Sequence, residues 1–211
     1  MVLVMRTRSQ PRETSAALHR HVIETALSLF SRFGYGPVSI EMICDAADVS
    51  VGSLYHHFDS KAGVAAAIYT EAIRRYHEPL LAVVADGPAA EDGVRSLVHA
   101  HHRWVATHAS WARFMMTHGD LAEIRANAPD HEAANARLAS ALITWARRHM
   151  DAGYIMALDP ALFMGVVFGP SYFHTRLSLG RAPSPPDRDV AAQLATAAWR
   201  SLQGPTAPAT D

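Results

Sequence analysis

Between Gly34 and Ser60 the chain has room for two helices, and neither can exceed about two turns. Gly34-Tyr35-Gly36-Pro37 stops whatever helix precedes it, because Gly34 suits a left-handed C-cap and Pro37 lacks a backbone donor. Ser39 then offers an N-cap, Glu41 complements the helix dipole, and Ile40, Ile43, Cys44 and Ala47 share an inward face that can run only to about Ala47. After an Asp48-Val49 corner, Ser50 can cap a further helix from Val51 to about Phe58, and Asp59 or Ser60 caps the next. Two short helices about a tight corner make a helix-turn-helix, whose second helix lies in the DNA major groove.

Around this unit apolar residues recur at helical spacing, and no stretch alternates as a half-buried strand would, so the fold class is all-α. A first helix is predicted from near Thr14 or Ser15 to Gly34, with Val22, Ala26, Leu29, Phe30 and Phe33 as its inward stripe. Later helices are expected at about 60–84 with a bend at Pro79, then 89–108, 110–126, 130–152, 159–179 and 186–203. Asp86-Gly87-Pro88, Pro129, Gly153, Asp159-Pro160, Gly180 and the run from Pro183 to Pro186 separate them, and a mobile tail is expected from Pro205 to Asp211. The architecture is thus about nine helices: an N-terminal arm and three-helix head over 1–60, and a helical body over 61–211.

Composition narrows the function. Apolar residues at 49% and charged residues at 18% describe a folded chain, and a net charge of −1 excludes a broadly basic nucleic-acid coat. DNA contact must then come from a local patch. Residues 1–12 carry Arg6, Arg8 and Arg12 without an acid, so they could form a flexible DNA-reaching arm or only a solubilising start. A lone cysteine, Cys44, leaves no internal disulfide, and the apolar Met1–Met5 stretch is too short for an export signal, so a cytoplasmic location is expected. The longest run free of Asp, Glu, Lys and Arg, Pro160 to Thr175, is shorter than the roughly 20 residues of a membrane helix.

In the second short helix Leu54 and Phe58, with Val49 before them, can pin the helix to its neighbours, leaving Val51, Gly52, Ser53, Tyr55, His56 and His57 on other faces. Gly52 costs up to about 1 kcal/mol there, a cost offset if something outside the chain must approach its backbone. Tyr55, His56 and His57 can donate to phosphates, and Lys61 adds a cation beside a positive helix end. The stretch from Gly34-Tyr35 through Ala46-Ala47-Asp48-Val49-Ser50-Val51-Gly52-Ser53-Leu54-Tyr55-His56-His57-Phe58 to Ser60-Lys61 closely resembles the DNA-binding head of the TetR family. That resemblance implies that Val51, Gly52 and Ser53 approach bases, that Tyr55, His56, His57 and Lys61 hold phosphates, and that the body is a ligand-binding dimer. Four positions depart from the family pattern. Cys44 replaces the usual Ala, Asp48 the usual Gly, and Val38-Ser39 the usual Thr-Thr pair, which keeps Ser39 among the DNA-contacting residues and puts a contact at Val38 in doubt.

In the body, helical counting puts His101, Trp104 and His108 toward one interior, His131, Trp145 and His149 on the facing helix, and Trp111, Phe114, Met115 and His118 between them. An apolar cavity with a few convergent polar groups is a small-molecule site. The expected site residues are His101 as polar anchor with Trp104, His108, Trp111, Phe114, Met115, His118, Trp145 and His149, holding an apolar or aromatic effector. Aromatic and methionine stripes at helical spacing are more often packed core, and an inward histidine is more often hydrogen-bonded structure. No cofactor or metal site is expected, since His99, His101 and His102 do not share a face and no HExxH pair occurs.

The 159–179 segment is apolar nearly all round, and Ala191, Leu194, Ala195, Ala198, Trp199 and Leu202 give the last helix a small-residue face. A homodimer through these two helices would bury both. The function expected is a sequence-specific DNA-binding transcription regulator, a ligand-released repressor on a palindromic operator. The alternatives are a ligand-independent architectural DNA-binding protein or a helical hydrolase. No nucleophile elbow, Gly-rich phosphate loop or coherent catalytic set supports an enzyme.

Overall fold

The computed structural model describes residues 10–179 and 188–207, and the described residues form ten helices without a strand. They are α1 (Gln10–Phe33), α2 (Ile40–Ala47), α3 (Val51–Phe58), α4 (Lys61–Ala85), α5 (Ala90–Thr107), α6 (Ala109–His118), α7 (Ala122–Ala126), α8 (Asp130–Asp151), α9 (Pro160–Leu179) and α10 (Arg188–Leu202). The helix starts and stops of the head follow local chemistry. Gly34 is left-handed at φ +83°, and Ser39, Ser50 and Ser60 each accept a backbone N–H of the following turn, from Met42, Ser53 and Gly63.

Three boundaries differ from expectation. Helix α1 begins at Gln10, four or more residues early, because Pro11 is tolerated in a first turn whose N–H groups have no partner anyway. The segment expected over 110–126 breaks at Gly119, where a Cβ would stand 2.5 Å from the Met115 carbonyl oxygen and 2.6 Å from the Tyr69 ring. The expected tail begins as packed structure. Gly204 N–H donates to the Tyr154 carbonyl at 2.9 Å and Thr206 N–H to that of Gly153 at 3.0 Å, beside an antiparallel bridge between Ile155 and Gln203. The prolines at 183–186, Arg6 and Arg8, and residues 208–211 lie outside the described residues.

Two apolar clusters hold the molecule together, and α4 runs unbroken through Pro79 to serve both. The first joins Val22, Ala26 and Phe30 of α1 to Ile43, Leu54, Phe58 and Ile68, and continues into the body at Trp104, Trp111, Phe114 and Ile124. The second packs Leu80, Leu97, Leu142, Trp145, Phe163 and Trp199. The small-residue face of α10 lies inside this second cluster: Ala195 is fully buried and Ala198 nearly so, against α5. That corrects the expectation that this face pairs with another copy, since small side chains here admit close approach of α5 in the same chain. An Arg95 guanidinium on α5 donates to Thr196 Oγ1 at 2.8 Å across the same contact.

Helix α9 inverts the usual arrangement. Its inner side is pinned by Phe163 and Val167 but also by buried Ser171 and Thr175, while Leu162, Phe173 and Leu177 are exposed at 53%, 65% and 54%. No helix among the described residues is long and apolar enough to cross a membrane.

Candidate nucleic-acid interface

The corner between α2 and α3 is built by Asp48, which takes the left-handed conformation at φ 53° and ψ 48°, with its N–H and that of Val49 turned to the Cys44 carbonyl. Asp reaches this region at modest cost because its short polar side chain tolerates it. Leu54 and Phe58 are buried and Phe58 stacks on His19 of α1 at 4.6 Å, so α3 is clamped along one side. At its far end Asp59 again has positive φ, and Gly63 passes so close that a Cβ would meet the Phe58 carbonyl oxygen at 1.8 Å. Sequence reasoning missed Gly63, His19 and His21, whose Nε2 lies 3.2 Å from the Ala47 carbonyl oxygen. His19 stands four residues before buried Ile23 and seven before buried Ala26 on α1, and that spacing was its available signal.

What remains open on α3 is Val51, Gly52, Tyr55 at 47% exposure and His56. A Cβ built on Gly52 meets nothing within 4 Å, so nothing inside the chain requires glycine there. Ser53 is half-buried, with its N–H held by Ser50 Oγ, and Ser39 is similarly half-buried with its Oγ accepting from Met42. His57 is half-buried and borders a groove with His19, whose own pKa is pushed down by burial and by His57.

Lys61 departs most from its expected role. Its ammonium donates to the carbonyls of Tyr35, Gly36 and Val38 at 3.1, 3.1 and 3.0 Å and sits 4.5 Å over the Tyr35 ring. An ammonium has three donors, and all three are used within the head. Lys61 therefore ties the start of α4 to the turn that carries Ser39, and the expected phosphate contact is not what its geometry offers. Val38 is core, at 1% exposure.

The nine expected effector residues do not line one pocket. His101 is fully buried between the Tyr76 hydroxyl, 2.8 Å from Nδ1, and Thr175 Oγ1, 3.0 Å from Nε2, and burial with a neighbouring His102 pushes its pKa down to about 4. Its polar atoms are thus already satisfied by α4 and α9. Trp145 Nε1 and His149 Nε2 both meet the Pro88 carbonyl at 3.1 Å, with the Trp145 ring filling the space beside Gly93. Trp104, Trp111, Phe114 and Met115 belong instead to the head-side cluster, with His108 stacked on Trp104 and His118 on Phe114. Gly93 and Trp104 lie about 16 Å apart along α5, which is the reason the set cannot converge. Trp104 Nε1 is buried without a hydrogen-bond partner among the described residues. Arg75, which sequence reasoning passed over, lies 4.2 Å over the Trp111 ring and pairs with Glu71 at 2.7 Å.

A clamped short helix presenting glycine, tyrosine and histidine after a tight corner, on an all-helical body, defines the helix-turn-helix class. The family model for bacterial regulatory proteins of the tetR family matches residues 22–68. The chain is 34% identical over 80 residues to the HTH-type transcriptional regulator UidR of Escherichia coli, a match covering 36% of this chain and 38% of UidR. It is 33% identical over 84 residues to an uncharacterized HTH-type transcriptional regulator of Mycobacterium tuberculosis, covering 40% and 42%. A TetR family transcription regulator from Marinobacter aquaeolei has the same fold over 92% of this chain and 99% of its own, with TM-score 0.74 at 19% identity. AibR, solved with isovaleryl coenzyme A and operator DNA, covers 88% of this chain and 98% of its own at TM-score 0.67 and 19% identity. The match to the tetR family model lies in the head, the likeness in the body is one of fold, and the chain spans about two fifths of the length of the curated relatives it matches. The relatives are named as regulators and not as enzymes.

Proposed function

We propose that this protein is a sequence-specific, DNA-binding transcription regulator that binds a palindromic operator as a homodimer and is released from it by a small molecule, acting as a repressor in the cytoplasm. The observation that carries the DNA reading is Gly52, a helix-weakening residue with open space around it on an exposed face. Close approach of a base edge or phosphate is the use that glycine serves there. Val51, Gly52 and Ser53 approach bases, Tyr55 and His56 position phosphates, and Ser39 at the start of α2 adds a further contact. Residues 1–60 form the DNA-binding unit and 61–211 the sensing and dimerising unit.

The dimer forms through the outer face of α9, where Leu162, Phe173 and Leu177 stand exposed, with the outer face of α10 beside it. A two-fold pairing of that face covers it and sets the two α3 helices for successive major grooves, about 34 Å apart. The effector is apolar or aromatic, and its binding favours a conformation with mis-spaced heads. AibR, crystallised with an acyl coenzyme A and operator DNA, supports the sensing part by analogy of fold.

The test is a selection of operator sequences from random duplexes with purified protein, followed by titration of the recovered site. Specific binding that Gly52→Ala weakens at least tenfold, with no loss of thermal stability, supports the reading. Recovery of no sequence preference favours the architectural alternative.

A further inference from the structure

A cavity of about 400 Å³ opens where the end of α1, helix α6 and the end of α9 meet. Its floor is apolar, made by Phe30, Phe114, Met116 and Leu179, and its charged lining is Arg113 and Arg176 without an Asp or Glu. Among the described residues neither guanidinium has a carboxylate within 4.0 Å, whereas Arg74, Arg75, Arg95 and Arg125 each have one. The larger groove of about 550 Å³ beside His57 makes the contrast, since its Arg74 and Arg75 are both spent on Glu71 at 2.7–2.9 Å. Of these two, the smaller cavity is the one whose lining joins an apolar floor to arginines with no carboxylate beside them. A planar guanidinium at the rim of an apolar cleft matches a carboxylate or phosphate in charge and in hydrogen-bond geometry. The volume falls in the roughly 300–1,000 Å³ range of small-molecule sites.

We propose that this cavity binds an amphipathic anion, a carboxylate or phosphate carried on an apolar body, with Arg113 and Arg176 holding the anionic group and Phe30, Phe114, Met116 and Leu179 the hydrocarbon. The occupant would touch α1 of the head and α6 and α9 of the body together. Binding stands on the cavity alone, and only its use as an effector site rests on the regulator reading above.

The experiment is calorimetric titration of the full chain with octanoate, octyl phosphate, octan-1-ol and acetate in one buffer. Octanoate or octyl phosphate should bind at least tenfold more tightly than octan-1-ol and than acetate, and the stronger of the two anions identifies the anionic group. Arg113→Gln and Arg176→Glu should each cut that affinity at least tenfold; Arg176 is exposed, so its variant should melt as the native protein does. Octan-1-ol or acetate binding as tightly as both anions, or undiminished anion binding by a normally folded Arg176→Glu, overturns the site. A protein that binds octanoate through these arginines but no operator sequence retains the site and refutes the proposed function instead.

Discussion

Helices α3 and α9 each leave a face uncovered, and the two faces differ in kind. On α3 the buried side is apolar, Leu54 and Phe58, and the open side carries Gly52, Tyr55 and His56. On α9 the open side carries Leu162, Phe173 and Leu177, while Ser171 and Thr175 turn inward to His102 and His101. A polar open face holding a glycine that the fold does not need suits a hydrated, charged partner such as DNA. An apolar open face suits another protein surface, because leaving it in water forgoes about 25 cal/mol for each Å² that could be covered.

The largest effect should come from putting charge on the two sides of the α9–α10 pair. Phe173→Glu with Leu177→Glu should convert a dimer to a folded monomer in sedimentation at micromolar concentration, with helical circular dichroism retained. Ala195→Glu should unfold the chain instead, because that side chain is fully buried in its own core and the new carboxylate would have no partner. A double variant that stays dimeric removes α9 as the interface.

The inner side of α9 should announce itself through pH. His101 has a pKa pushed from 6.5 down to about 4 by burial first and His102 second, so the folded state binds its proton less readily than the unfolded chain does. Its contribution to stability is therefore complete above about pH 6.5 and is lost as pH falls toward about 4. By linkage the change is of the order of 3 kcal/mol for this group. His102, also held near 4 by burial and by its neighbours His174 and His99, acts in the same direction. Urea midpoints measured from pH 8 to 4 should fall across that window in the native protein and less steeply in His101→Gln. Parallel slopes would mean that the buried imidazole is not the titrating group.

The DNA face should give a tenfold effect or more. Gly52→Ala and Tyr55→Ala should each weaken operator binding by that factor, about 1.4 kcal/mol, while Gly52→Ala raises the melting temperature slightly through helix propensity. Stability and affinity moving in opposite directions is what distinguishes a functional glycine from a structural one. Gly63 is the control: Gly63→Ala should lower stability, because its Cβ would collide with the Phe58 backbone.

The head was legible because its signals are local. Ser39, Ser50 and Ser60 each satisfy a donor three residues away, and Asp48 turns the corner within its own dihedral angles. The body resisted for the opposite reason. A helix apolar nearly all round, like α9, has no hydrophobic direction, so periodicity could not reveal that Ser171 and Thr175 face inward. The α10 alanines were rightly read as a packing surface, but which surface they met was a tertiary matter, and it proved to be α5. The aromatic and histidine stripe likewise shared a helical face without sharing a depth, which is why Trp145 and Trp111 serve different clusters.

Lys61 gives the smallest effect and separates the two readings of the head most cleanly. Sequence places it beside a helix start facing DNA, whereas the structure directs its ammonium to carbonyls 23 to 26 residues earlier in the chain. Lys61→Met keeps the aliphatic stem and removes the three donors. Hydrogen bonds from a charged group contribute about 1–2 kcal/mol net at a half-buried site, and for a chain of this length that corresponds to a fall of roughly 2–8 °C in melting temperature. If the lysine works only by stapling the Tyr35–Val38 turn, the slope of operator affinity against salt should be unchanged, because no phosphate contact is lost. A slope reduced by about one counterion at unchanged stability would return Lys61 to the DNA face.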